Sequence, residues 1–242
     1  REPVRERVAY LLDRLTMLHE TRSALIETLH ERTAGSIENA ERIVGMTGLN
    51  VDKVVADVEE TESLGKGGPF IAVLPDSVAG DGFAGKVVGL DGKLARLGML
   101  QSALRAIPLV APVDAFRIGS GFGKRKDPIS GKLAIHDGID FSAPTNTPIY
   151  ASAPGTVVFA NWNGRYGRMV EIDHGFGIRS RYAHLRKILV KKGQRIGHRE
   201  KIALLGTSGR STGPHLHYEI LYGKIAMDPM RFIKAGKYVF KE

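Results

Sequence analysis

Cysteine is absent from all 242 residues, so neither a disulfide framework nor a thiolate metal site can contribute to the fold. That composition suits an extracytoplasmic chain without requiring one. Tryptophan occurs once, at Trp162, and the tyrosines are scattered, which leaves no aromatic platform on which nucleic-acid bases would stack. No apolar run approaches the roughly 18 to 20 residues that cross a bilayer, and no signal peptide is evident. The first residue is Arg rather than Met, which leaves room for a targeting or anchoring segment upstream of it.

What the chain does have is charge, unevenly shared. From Val113 onward it carries 22 Lys and Arg against 10 Asp and Glu, a net of +12. The preceding part carries 13 against 16, a net of −3. Two halves of opposite sign point to two parts with different partners, the basic one attracting a polyanion: nucleic acid, acidic lipid or an anionic cell-wall polymer.

The pattern of apolar residues divides the chain the same way. Val4, Val8, Leu11, Leu15, Leu18, Leu25 and Leu29 alternate in steps of four and three, with Arg22 interrupting, which is a coiled-coil seam on a helix over about 2–46. Asn50 is placed to cap a second, short helix. A breaker, GKGGPF at 65–70, leads into a stretch over 71–89 that reads as extended or irregular. A further helix over about 90–107 carries Leu90, Leu94, Leu97, Leu100, Leu104 and Ile107 on one face, and an antiparallel hairpin with the first helix is expected. Pro108 and Pro112 then form a stiff boundary. Beyond it, short β-branched and aromatic runs alternate with Gly and Pro, the texture of an antiparallel β domain, with the best strands at 157–160 and 169–172. The expected fold class is therefore α+β and multidomain. A helical hairpin or coiled-coil region covers 1–62, a linker 63–112, and a compact antiparallel β domain 113–242. The linker or the hairpin could lie across a functional groove of that domain.

The β part holds the chemistry. His136 and Asp140 lie four apart in HDGID, and His215 and His217 form a His-x-His pair in GPHLHYE. On a strand, residues i and i+2 share a face, so both imidazoles can address one small volume. His136 and Asp140 would lie about 13 Å apart in a straight strand, so the backbone has to bend between them, at Gly138, or else run as a helix. The glycine and the FSAPTNTP that follows speak against the helix. Four candidate ligands exceed by one the three that a catalytic zinc takes, which leaves one histidine for proton transfer. His184, in RYAHL, is another imidazole in a strand pattern. His174 reads as a strand-end turn residue, and His19, His30 and His198 as solvated.

The segments SGFGKRKDP (120–128), HDGIDFSAPTNTPIYASAPGTVV (136–158), YGRMVEIDHG (166–175), RYAHL (181–185), VKKGQRI (190–196) and GTSGRSTGPHLHYE (206–219) closely resemble the LytM/lysostaphin family of zinc endopeptidases, which cut bacterial peptidoglycan. The resemblance implies that His136, Asp140 and His217 bind one Zn²⁺, that His215 is the general base, and that His184 assists it and stabilises the oxyanion. It also implies a narrow groove walled by loops such as 121–127 and 206–213. By the same resemblance, the chain would be a periplasmic, inner-membrane-anchored hydrolase of peptide cross-links, acting at D-alanyl–diaminopimelate bonds. Its partners would be peptidoglycan and, through the coiled coil, another protein or a second copy. The competing expectation is a non-hydrolytic wall-binding or regulatory module that recruits other wall enzymes.

Overall fold

The computed structural model describes residues 2–63, 82–126 and 131–239. Helix α1 runs Glu2–Thr47, 46 residues or roughly 69 Å. Its seam residues Val4, Val8, Leu11, Leu15, Leu18 and Leu25 are all at least half exposed. Packing begins only at Ile26 and continues through Ala40, Ile43, Val44 and Thr47. The chain turns at Gly48, and Lys53 N–H donates to Asn50 Oδ1 at 2.8 Å, so the expected cap opens helix α2, Val51–Ser63.

Helix α3 spans Phe83–Ala106, starting seven residues before the expected 90, so 83–89 is helical rather than irregular. The weak periodicity there hid it, because Gly82, Gly89 and Gly92 break the apolar pattern. The breaker at 65–70 lies outside the described residues. The expected antiparallel hairpin is not what forms: α1 and α3 run parallel. Arg22 stacks on Phe83, Glu27 pairs with Lys86 at 3.0 Å, and Glu41 pairs with Arg96 at 2.7 Å, so both chains advance together. A hairpin needs a short loop. Here a whole helix, α2, intervenes, and α3 begins beside Arg22, near the middle of α1.

The β part is a single antiparallel sheet, with a separate hairpin. In chain order the strands are β1 (Arg117–Ser120), β2 (Gly123–Lys126), β3 (Leu133–His136), β4 (Ile139–Ser142), β5 (Pro148–Tyr150) and β6 (Gly155–Trp162). They continue with β7 (Arg168–Gly175), β8 (Ile178–Ile188), β9 (Arg195–Ile196), β10 (Lys201–Leu205), β11 (His215–Tyr222) and β12 (Ile225–Met227). The sheet order is β1-β4-β11-β8-β7-β6-β9, with β10 joining β5 and β8, and β12 joining β11; β2 and β3 form the hairpin. Both expected strands are present, within β6 and β7.

Alternation sends Phe141, Tyr182, Tyr218, Ile172 and Leu185 inward, all fully buried. A last helix, α4 (Pro229–Gly236), begins at Asp228, whose carboxylate accepts from Met230 N–H at 2.9 Å. Its Phe232 and Ala235 join Ile43, Val44, Val54, Val58, Leu109 and Ile220 in one core. The hydrophobic interior therefore crosses the boundary at Pro112, and the ends of the helices are mortised into the β domain. No helix among the described residues is long and apolar enough to cross a membrane.

Beneath the sheet surface lies a buried polar chain. His174 is 8% exposed. Its Nδ1–H donates to Pro154 O at 2.7 Å, so Nε2 accepts from the Ser180 hydroxyl, also at 2.7 Å. The Tyr182 hydroxyl lies 2.9 Å from Ser180 Oγ and takes the Ser152 N–H at 3.0 Å. His174 is thus a neutral strut within β7, not a turn residue. Burial lowers its pKa from 6.5 to about 4, more than the Pro154 carbonyl can restore. The unfolded chain takes up a proton near 6.5 that the folded one refuses until about 4. The contribution is thus complete above pH 6.5 and is lost as pH falls through that window, about 3 kcal/mol in all. Denaturant unfolding at pH 7.5 and pH 4.5 should show that loss in the wild type and a shallower one in His174→Gln; parallel pH profiles would contradict it.

Candidate metal centre

Three elements build the site. Strand β3 ends at His136, the backbone turns through Asp137 and Gly138, and β4 begins at Ile139. The expected bend is therefore a break between strands. Gly138 is needed there because a Cβ would strike Tyr218 O and the side chains of Glu219 and His217. Strand β4 then pairs with β11 in a register that sets Asp140 directly opposite His217 and Ser142 opposite His215.

The result is one cluster. His136 Nε2 lies 3.0 Å from His217 Nδ1 and 3.2 Å from Asp140 Oδ1, and His217 Nδ1 lies 2.9 Å from that same oxygen. Donors at about 2.0 to 2.2 Å from one tetrahedral cation would be separated by roughly 3.4 Å, close to what is found. The outer hydrogen bonds orient the lone pairs. His136 Nδ1–H donates to Gly121 O at 2.7 Å, and His217 Nε2–H donates to Glu219 Oε1 at 2.9 Å. Each imidazole therefore turns an unprotonated nitrogen towards the other and towards the carboxylate. Three lone-pair atoms packed this closely call for a cation between them, and among the described residues this is the group able to hold a metal ion.

The electrostatics agree. Burial alone would discharge His217, but its hydrogen bonds to Asp140 and Glu219 and their charges outweigh burial and raise its pKa to about 9. Burial likewise works against the Asp140 carboxylate, yet bonds from His136 and His217 hold it well below the usual range. The protein alone thus favours a positive charge at the centre of the cluster; a metal ion would replace the proton.

Two further imidazoles face the same cavity. His215 Nδ1–H donates to Gly213 O at 2.9 Å, and its Nε2 stands 3.8 Å from Asp140 Oδ1. His184 Nδ1–H donates to Ser208 O at 2.8 Å, and its ring centroid lies 4.7 Å from that of His215. Burial, then repulsion from His215 and His217, lowers the His184 pKa to about 4, so it is neutral at pH 7. His184 sits at φ +58, a left-handed backbone that costs a non-glycine residue about 1–3 kcal/mol and is typical of functional sites. All five expected site residues, His136, Asp140, His184, His215 and His217, are brought together here. His174 and His198 lie elsewhere. His30 is not solvated as expected: its Nε2–H donates to Lys86 O at 2.7 Å, joining α1 to α3.

Sequence reasoning missed Glu219 and Tyr166. Glu219 is 1% exposed and also accepts from the Tyr166 hydroxyl at 2.8 Å and from Arg181 at 3.2 Å. Arg181 continues to Glu171 at 2.7 Å. Burial, together with the Glu219 charge, raises the Tyr166 pKa to about 12. The signal was available: Glu219 follows His217 by two on one strand and so shares its face. Arg125, Arg165, Tyr166, Arg210, Ser211 and Thr212 complete the cavity wall, with no part supplied by the described residues of α1, α2 or α3.

The β part of the chain is similar to known proteins. Residues 134–229 match the model of Peptidase family M23. The peptidoglycan DD-endopeptidase ShyB of Vibrio cholerae is 45% identical over 123 residues, covering 50% of this chain and 29% of its own. Its relative ShyC is 34% identical over 167 residues, covering 69% and 35% respectively. A zinc-containing peptidase from Vibrio cholerae has a crystal structure with 43% identity and a TM-score of 0.49, over 52% of this chain and 40% of that one. The lysostaphin catalytic domain from Staphylococcus simulans shows 32% identity and a TM-score of 0.46, over 49% and 92%. The chain spans about a third of the length of the curated relatives it matches. Its β domain, with the histidine and aspartate cluster between β3, β4 and β11, is a LytM-type domain of peptidase family M23.

Proposed function

We propose that this chain is a zinc-dependent endopeptidase that hydrolyses peptide cross-links of bacterial peptidoglycan, with residues 113–242 as its catalytic unit. The observation that carries the reading is the convergence of three possible ligand atoms with two spare imidazoles in one cavity. The names of the matched relatives, peptidoglycan DD-endopeptidases among them, support the same substrate. His136, Asp140 and His217 would hold the zinc ion. When bound, zinc supplies Lewis acidity and brings the pKa of water down to about 7.

The chain's own residues then divide the proton work. His215, with Nδ1–H committed to Gly213 O, offers the Nε2 lone pair as general base and can return the proton to the leaving amine. His184 also presents a bare Nε2, because its Nδ1–H is committed to Ser208 O. As a neutral imidazole it accepts; it becomes a donor to an oxyanion only after gaining a proton during turnover. Glu219 fixes the His217 tautomer, and Gly121 O does the same for His136. The substrate bond we favour is D-alanyl–diaminopimelate, whose free carboxylates suit the basic domain. A periplasmic location follows from that substrate. Membrane anchoring upstream, and self-association or a protein partner along the exposed α1 seam, belong to the same proposal.

His215→Ala should lower hydrolysis of purified sacculi, followed by turbidity, by about 10²–10⁴-fold while zinc stays near one per chain. If the metal is lost as well, base and ligand have been confused. A chelator should abolish clearing, and added zinc restore it; clearing that persists without metal would contradict the mechanism. Glu219→Gln should weaken zinc binding about 10- to 100-fold in a competition titration, and an unchanged affinity would show that Glu219 does not orient His217.

A further inference from the structure

Three arginines line the cavity of the metal cluster, and the mechanism above gives none of them a step. Arg125 comes from the β2–β3 hairpin, Arg165 from the short 3-10 turn Gly164–Tyr166, and Arg210 from the loop before β11. All three line the same cavity as His136, His184, His215 and His217. Three like charges crowded around a cation site repel one another, so the fold must hold them there by other means.

The backbone does this. Arg210 N–H donates to Arg165 O at 2.8 Å, stitching the two loops edge to edge. Gly209, at φ +75, makes the approach possible, since a Cβ there would collide with Gly167 N and Arg165 O. Ser208 Oγ accepts from Arg168 N–H at 2.9 Å and donates to Leu185 O at 2.7 Å, fastening the same seam to β7 and β8. The carbonyl of Ser208 holds His184, so the basic rim and the spare imidazole share one support. On the opposite wall Arg125 approaches Asp140 Oδ2 at 3.5 Å, and its Nε is buried without a hydrogen-bond partner among the described residues. Arg165 has no carboxylate partner among the described residues.

We propose that Arg165 and Arg210, with Arg125 facing them, form a carboxylate-binding subsite that selects peptides bearing a free α-carboxylate beside the scissile amide. The proposal deepens the hydrolase reading above and rests on it. Guanidinium is the side chain whose planar fork matches a carboxylate with two parallel hydrogen bonds. A cavity whose wall carries three of them favours an anionic peptide over a neutral one. The carboxylate of a diaminopimelate-type cross-link sits on the carbon that bears the leaving amine, so gripping it also fixes the amide against His215.

The test uses a synthetic cross-linked peptide dimer with that carboxylate free, and the same dimer with it amidated. The zinc-loaded wild type should cleave the free form with a kcat/KM about tenfold or more above that of the amidated form. Arg165→Gln should cost about tenfold on the free form, mainly through KM, and far less on the amidated form. Arg165→Lys should recover only part of the loss, because it keeps the charge without the fork. Calorimetric binding of the free dimer to zinc-loaded His215→Ala should weaken by the same factor when Arg165→Gln is added, and fall more steeply with salt when Arg165 is present. Equal cleavage of both dimers by the wild type, or equal losses on both in Arg165→Gln, would overturn the subsite alone. A wild type that loads zinc and cleaves neither dimer would overturn the hydrolase reading and the subsite together.

Discussion

The pairing of β4 with β11 is the constraint on which the rest depends. That register faces Asp140 with His217 across the ladder and lets Ser142 face His215. A slip of one residue would turn every side chain of β11 to the other face, sending both histidines into the core and Leu216 and Tyr218 into the cavity. The register is protected by burial. Phe141, Leu216 and Tyr218 are fully enclosed, so moving them outward would forfeit about 1.5–3 kcal/mol apiece. The ordinary hydrophobic alternation of two strands thus determines where the polar donors meet.

A second layer decides which atoms those donors present. Every one of the four imidazoles in the cavity spends one ring nitrogen on an oxygen of the scaffold: Gly121 O, Ser208 O, Gly213 O or the Glu219 carboxylate. With a metal ion in place of the proton that His217 favours, the remaining nitrogens would all carry lone pairs, two facing the cation position and two the space beside it. The proposed division between holding and proton transfer rests on geometry, since the four rings are chemically alike.

Much of this was legible in the sequence because the decisive residues lie close together in it. The His-x-His spacing announces a shared strand face, and Gly138 announces the break that brings His136 near Asp140. Asn50 could be read as a cap from its chemistry alone. Less visible were features that depend on distant partners. The parallel course of α1 and α3 is set by pairs such as Glu41 with Arg96, which no local pattern encodes. The first two turns of α3 were hidden by glycines that packing against α1 tolerates. His174 looked like a turn residue because the partners that hold its ring, Pro154 just before β6 and Ser180 on β8, are not adjacent to it in the sequence. Glu219 was overlooked although its position is local, because a carboxylate beside a ligand reads as a surface charge until the strand's inward face is known.

The front of α1 has a mechanical consequence. About 24 residues precede Ile26, a stiff rod of roughly 36 Å continuous with the part seated in the core. A flexible tether of equal length would let the groove wander over a broad range of heights above whatever grips its far end. A rod narrows that range, so in the proposed wall hydrolase the helix would set the reach of the groove as a length.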